Sequence, residues 1–493
     1  MQRRDFLRIG VGTLALAASQ GAGAVQPRRP NVLFILADDM KANCIGALGN
    51  PHIKTPNLDR LVERGVSFSR VYCFGAMVGA VCLPSRAMLL TGRSLFHLPV
   101  EKVLRGNLRQ FQAAMADQKE GRDWVLLPRV LREAGYETCH IGKSGNGFVP
   151  GLQAFEHNTI RDDRSAVERA SSSEKHADQV IEFLRTRKTD RPFFLYLAPP
   201  VPHDPRVAPK EFLDLYDPAK IPLPASFQPV HPFDDGDMTV RDEQLAPWPR
   251  TPEIIRRHLA DYYACVTCLD HHIGRIIEHL RQTGKLDNTV VIFSGDNGLS
   301  LGDHGLLGKQ NVYECGGMHV PLVIAGPGLR PGKSDALVYL FDLFPTICDL
   351  TGTPIPAVVE GKSLMPLLTG RRESGRDYLF TAYKPQRAVR TERWKLIRYT
   401  HINKTQLFDL QTDPCEMDDR ADKPEHAGKV QEMMALLEKA QKQWGDTCPL
   451  VSPSPASPEW TPPAKERPAT TRRAPRQSRS GPRASVIDQL PRL

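Results

Sequence analysis

The chain has 493 residues, of which 41% are hydrophobic and 25% charged. That balance excludes a disordered chain and a polytopic membrane protein, and the length excludes a small disulfide scaffold. The formal charge of +9 suggests an acidic partner, but residues 1–24 carry +2 of it, residues 451–493 carry +5, and the long stretch between them only +2. No nucleic-acid partner is expected from that distribution.

Residues 1–24 open with Arg3-Arg4-Asp5-Phe6-Leu7-Arg8, pass through an apolar run from Ile9 to Ala18 and reach Ala22-Gly23-Ala24. An apolar run of about ten residues is too short to cross a bilayer, which takes about 20. Small residues two apart suit a signal peptidase. The paired arginines resemble a twin-arginine signal peptide. That implies the twin-arginine export machinery as a partner, no stable membrane span, a mature chain from near Val25, and a periplasmic or secreted bacterial protein.

The apolar run Asn31–Leu36 reads as a buried strand, and Thr55-Pro56 opens a helix that stops at Gly65, with Thr55 as cap. Further strands are expected at Glu137–Ile141, Phe193–Ala198, Thr289–Ser294 and Val320–Ala325. Helical patterns lie near Val125–Ala134, Val167–Thr186, Ile254–Thr283 and Phe341–Leu350. This alternation predicts an α/β fold with a mostly parallel central sheet flanked by helices over residues 25–365, with ligands beyond the carboxyl ends of the strands. Beyond Pro366, strand-like runs at Arg387–Thr391, Trp394–Tyr399 and Gln406–Leu410 precede a helix at Glu425–Gln443, which predicts a small α+β subdomain over 366–450. Residues 451–493, rich in Pro, Ser and Arg, read as a disordered tail.

Ten cysteines are present, without the paired spacing of a metal knuckle. Cys265 and Cys268 fall on a helical pattern and read as packing. An exported protein forms disulfides, but spacing does not pair these cysteines.

Two strand ends carry hard oxygen donors: Asp38-Asp39 after the first strand and Asp296-Asn297-Gly298 after Thr289–Ser294. Together they suit a calcium-type cation, which takes six to eight oxygens. With neither Cys nor His clustered there, zinc is a poorer match. Between them, Cys82-Leu83-Pro84-Ser85-Arg86 places a cysteine at the start of a helix, where an anion or a lowered thiol pKa is favoured. Read alone, Cys82 is a candidate nucleophile or an inert buried thiol.

Cys82-Leu-Pro-Ser-Arg86, followed by Leu89-Leu-Thr-Gly-Arg93, resembles the signature of the type I sulfatases of the alkaline phosphatase superfamily. The resemblance extends over nearly all of residues 30–445. It implies that a formylglycine-installing maturation enzyme converts Cys82 to Cα-formylglycine, whose hydrated aldehyde attacks sulfur with one hydroxyl and expels sulfate through the other. It further implies that Asp38, Asp39, Asp296 and Asn297, with the modified Cys82, hold Ca2+. Arg86 and Lys143 would brace the nucleophile and anion, His203 would protonate the departing alcohol, and Lys309 would hold the bridging oxygen. The family commonly has Gly-Lys-Trp-His where this chain has Gly142-Lys143-Ser144-Gly145, so a histidine is missing: either Asn146, His140 or a residue from elsewhere takes its role, or the elimination step is slow. His319, in Met318-His-Val-Pro321, and His304 are minor candidates for the substrate site, and His271-His272 for none. The expected reaction is hydrolysis of a sulfate ester of a small molecule or carbohydrate. The alternatives are a phosphonate or phosphate ester hydrolase on the same scaffold, and a non-catalytic protein binding sulfated glycan.

Overall fold

The computed structural model describes residues 29–98, 124–144, 148–371 and 374–463. The leader reading lies outside the described residues, as do Gly145, Asn146 and residues 464–493.

The central sheet has nine strands: β1 (Asn31–Ala37), β2 (Val66–Tyr72), β4 (Glu137–Gly142), β5 (His157–Ile160), β6 (Phe193–Ala198), β7 (Thr289–Gly295), β8 (His319–Ala325), β9 (Gly332–Ser334) and β10 (Val338–Tyr339), in the order β10-β2-β8-β7-β1-β6-β4-β5 with β9 beside β2. It is mostly parallel, as expected, with β8 running against both β2 and β7. Every residue of β1 is buried, because the strand has cover on both faces. Leu33, Ile35 and Ala37 pack under the Pro56–Arg64, Ser172–Thr186 and Pro252–Gln282 helices. Val32, Phe34 and Leu36 face the Leu127–Glu133 and Leu343–Leu350 helices. β1 is parallel to β6 and β7, and β6 to β4, so four carboxyl ends open on one edge of the sheet.

A second sheet joins β3 (Gly75–Ala76), β11 (Leu379–Tyr383), β12 (Gln386–Arg390), β13 (Trp394–Tyr399) and β14 (Lys404–Asp409) in the order β14-β13-β12-β11-β3. The Ala427–Trp444 helix packs on it through Met433, Leu437 and Trp444. The same core takes in Phe74, Leu83, Ala87 and Leu90, whereas Leu89 belongs to the core of the central sheet. The helix Cys82–Thr91 is therefore wedged between the two sheets, and all ten of its residues are buried.

Three local expectations need correction. Thr55 makes no capping hydrogen bond; the first amides of the Pro56–Arg64 helix donate instead to Asp270, at 3.2 Å from Asn57 and 2.7 Å from Leu58. Thr55 is committed elsewhere, bridging the Gly46 amide and Asp59. The helix expected over Val167–Thr186 is two helices, Ala166–Ala170 and Ser172–Thr186, the first begun by a Ser165/Glu168 capping box and ended at Ser171. The tail is held over 451–463: Ser452 accepts from Asn403, Ala456 donates to the His401 carbonyl, Pro458 accepts from Asp234, and Trp460 meets Trp248 edge-on.

Candidate active site

Asp38 follows β1, Lys143 follows β4, His203 lies beyond β6 and Asp296 follows β7, all at the carboxyl edge of the sheet. The Asp38 amide donates to the Val201 carbonyl at 3.0 Å, extending the β1–β6 pairing by a step and fixing His203 beside the first aspartates. Asp39 adopts φ 62°, the left-handed region that Asp enters more readily than most residues. The two neighbouring carboxylates consequently take different partners. Asp38 receives Lys143 Nζ at 2.5 Å and lies 3.7 Å from Arg86; Asp39 receives Lys309 Nζ at 2.6 Å and Asn297 Nδ2 at 2.9 Å.

Cys82 begins its helix, and Arg86 follows one turn later on the same face. Arg86 Nε donates to Asp296 at 2.8 Å, and Ser85 Oγ donates to the Asp296 carbonyl at 2.5 Å, so this first turn is tied to the end of β7. Asp296 also accepts the Asp39 and Asn297 amides, at 3.0 and 2.8 Å. Gly298 completes the turn, because a Cβ there would collide with the carbonyls of Gly316 and His319. Lys309 comes from an irregular segment that the buried Glu243 carboxylate pins through the amides of Leu307 and Gly308, at 2.9 and 2.7 Å.

These contacts gather three buried carboxylates, Asp38, Asp39 and Asp296, with three buried cations, Arg86, Lys143 and Lys309. Burial pushes the Asp38 carboxyl up, but Lys143, His203, Arg86 and Lys309 outweigh it and hold the group well below the usual carboxylate range. Burial works against Asp39 in the same way and is overcome by Lys309 and His203. At Asp296 burial wins despite Arg86, and its pKa is raised. Burial opposes the charge of Lys309, yet Asp39, Asp242 and Asp38 with Cys82 keep it firmly protonated.

The Cys82 thiol corrects another expectation. Burial pushes its pKa up, and Lys143 and Lys309 only partly offset that, so the helix start does not make a thiolate. The Cys82 sulfur and one oxygen each of Asp38 and Asp296 nevertheless lie within 4.8 Å of one another. Asp38 Oδ1 and Asn297 Oδ1 are buried there without a hydrogen-bond partner. Orphaned hard oxygens beside carboxylates fit a calcium-type ion, and the donor set of Asp38, Asp39, Asp296 and Asn297 is suited to hold one.

His203, 18% exposed, stands at the mouth of this cluster. Its Nδ1 faces the Asp204 carbonyl at 2.7 Å, so Nδ1 carries a proton and Nε2, 3.6 Å from Asp39, is the atom free to exchange one. Asp204 is gripped by Arg241 at 2.7 and 2.8 Å; Arg241 also pairs with Asp242, which accepts from Gln310 at 2.9 Å. Sequence reading passed over this rim. Its signal was the long, Pro-rich segment from 201 to 251, whose lack of period inside a compact domain marks a functional loop.

The other candidate histidines have contacts of their own. His140 hydrogen-bonds Asn158 and packs against Phe155 and Tyr196. His319 stacks on Tyr72 with its nitrogens on the Glu314 and Ser69 carbonyls. His304 stacks on Tyr313.

Residues 30–353 match the sequence profile of the Sulfatase family, and residues 302–443 match that of the N-sulphoglucosamine sulphohydrolase C-terminal region. An N-acetylglucosamine-6-O-sulfatase of Bacteroides thetaiotaomicron is 27% identical over 90% of this chain and 92% of its own. A solved complex of a protein with its substrate D-glucosamine-2-N,6-O-disulfate superposes with a TM-score of 0.70 at 24% identity, covering 86% of this chain and 99% of that one. A phosphonate monoester hydrolase from Silicibacter pomeroyi superposes with a TM-score of 0.68 at 26% identity, covering 85% and 96%.

Proposed function

The chain belongs to the sulfatase family, and from that membership we propose that it hydrolyses a sulfate ester of a carbohydrate at the Cys82 centre, with Cys82 matured to formylglycine and Ca2+ as cofactor. The observation that carries the reading is the meeting of the Cys82 sulfur with the Asp38 and Asp296 carboxylates inside a ring of Arg86, Lys143 and Lys309. Formylglycine at this position would supply a hydrated aldehyde as nucleophile, and a cation held by Asp38, Asp39, Asp296 and Asn297 would supply charge to the sulfate oxygens.

The chain's own groups complete the site. Lys143 and Lys309 act on the Cys82 position with fixed positive charge in a buried setting, where such charge stabilises a sulfate anion better than water does. His203 Nε2 delivers a proton to the departing alcohol oxygen, while the Asp204 carbonyl on Nδ1 fixes the ring. Arg86 holds Asp296 and so keeps the donor oxygens in register.

The carbohydrate assignment is supported by the relative's name and by the sulfated glucosamine bound in the solved complex. Sulfate release from a panel of defined sulfated saccharides tests it: turnover of at least one is expected, and turnover of small aryl sulfates alone contradicts it. The likeness to a phosphonate monoester hydrolase favours one second reading, cleavage of phosphonate esters. Matched aryl sulfate and aryl phosphonate esters separate the two, and a higher kcat/KM for phosphorus overturns the sulfate assignment.

The reading includes action of a maturation enzyme on Cys82 and passage through the twin-arginine machinery to the periplasm or beyond. Export is supported by the Arg3-Arg4 leader and maturation by Cys82-Leu-Pro-Ser-Arg86; cell fractionation tests the first and the mass of the Cys82 peptide the second. Among the described residues no helix is long and apolar enough to cross a membrane.

A further inference from the structure

Of the ten cysteines, Cys44, Cys73, Cys82, Cys139, Cys265, Cys268 and Cys348 are buried, and Cys315, Cys415 and Cys448 are partly exposed. The side chains of Cys315 and Cys415 lie near enough for each to bear on the other's ionisation. Their neighbours are joined as well. The Glu314 amide donates to the Glu416 carboxylate at 2.6 Å, and Lys395 Nζ lies between the two carboxylates at 3.0 and 2.8 Å. The Cys315 carbonyl accepts Lys41 Nζ at 2.9 Å, and Lys41 is itself paired with Asp303 at 2.6 Å. Both chain segments are thus held in place by contacts that do not involve sulfur.

We propose that Cys315 and Cys415 form a disulfide, which ties the segment carrying Lys309 to the turn after β14. The link closes a loop of about 100 residues, and a cross-link restricts the unfolded chain more across a long loop than a short one. It also anchors the stretch 309–317, in which Gly317 lies directly against the Lys309 carbonyl.

Access and reactivity both suit the bond. Cys315 and Pro414, the residue before Cys415, line one cavity of about 570 Å³, and both cysteines are partly exposed, so an oxidant has a route to them. The neighbouring Cys315 side chain lowers the Cys415 thiol to about 7 against the opposing effect of burial, which favours Cys415 as the attacking sulfur. With oxidised glutathione as oxidant, the Cys415 thiolate attacks one sulfur, forms a mixed disulfide and releases one glutathione thiolate. Cys315 then loses its proton and attacks the Cys415 sulfur, releasing the second glutathione. Two protein thiols are oxidised, one glutathione disulfide is reduced to two thiols, and no other reactant is needed.

The test uses the purified full chain, equilibrated with oxidised glutathione, alkylated without reduction and digested with trypsin. Gln310–Lys333 and Thr405–Arg420 each contain one cysteine. They are expected as a linked pair, two hydrogens lighter than their sum, that separates on reduction. Cys448→Ser leaves the pair intact, and the melting midpoint of the wild-type chain rises by a few degrees on oxidation but does not rise in Cys415→Ser. Alkylation of both thiols in the oxidised folded chain, or a link from either one to Cys448, overturns the proposal. The read-out is a mass, so this outcome is independent of whether the chain releases sulfate.

Discussion

The Lys309 ammonium stands 2.6 Å from Oδ1 of Asp39, a residue 270 positions earlier in the chain, and neither side chain is more than 4% exposed. The pair joins the irregular segment of Lys309 to the end of β1, and it is one of four buried ion pairs that Asp38, Asp39 and Asp296 make with Arg86, Lys143 and Lys309. Removing the ammonium takes from the buried Asp39 carboxylate its nearest cation and leaves it Asn297 and His203, a loss of up to about 3–5 kcal/mol. It also removes a positive charge from the anion site. Lys309→Ala should therefore lose at least about 10²-fold in kcat/KM and melt at a lower temperature. A variant with wild-type kcat/KM rules out the assigned role.

His203 gives a sharper test, because proton delivery matters only when the leaving alcohol is a poor one. His203→Gln should lose about 10²–10⁴-fold on a sugar sulfate and far less on an aryl sulfate whose phenol leaves unaided. Equal losses on both substrates, read from kcat, contradict the proton-donor role.

The orphaned oxygens of Asp38 and Asn297 predict a calcium-dependent stability. After chelation, adding Ca2+ at a hundred times its Kd should stabilise the chain by about 2.7 kcal/mol, seen as a higher melting midpoint. Asn297→Ala should need more Ca2+ for the same rise. An unchanged midpoint on adding Ca2+ argues against a resident ion.

Asp270 predicts a pH effect remote from the site. Burial lifts its carboxyl to about 7 against the pull of the Leu58 and Asn57 amides, whereas an unfolded Asp titrates near about 3.9. Between those values the folded chain keeps a proton that the unfolded chain has lost. Its contribution is therefore largest at the acid end and falls as pH rises toward 7, by up to about 1.4 kcal/mol per pH unit. Denaturation of wild type and Asp270→Asn from pH 4 to 7 should show the difference between them changing across that window; a constant difference refutes it.

The parts of this structure that follow from short-range pattern were legible in the chain. β1, β6, β7 and β8 were each marked by an apolar run, as central strands covered on both faces usually are, and β4, although its residues include Glu137, Thr138 and His140, by its place in the alternation of strands and helices. The short strands β3, β9 and β10 were not, since two or three residues carry no period and depend on their neighbours. The Asp270 cap escaped notice because a helix end is satisfied here from another helix rather than by the residue before it. In the site, Asp38, Asp39, Asp296 and Asn297 were visible as oxygen donors at strand ends, and the others through the Cys82–Arg93 signature and its companions. Arg241, Asp242 and Gln310 reach the rim through pairings that no local pattern encodes. The thiol of Cys82 ran against expectation, since complete burial outweighs a helix terminus.

The most direct test is the mass of the tryptic peptide Val71–Arg86, taken from protein made in its own host. It contains Cys73 as well as Cys82, so fragmentation must place the modification. The account predicts formylglycine at position 82 and an unmodified Cys73. A peptide carrying only cysteine at 82, from a preparation that still releases sulfate, would contradict it.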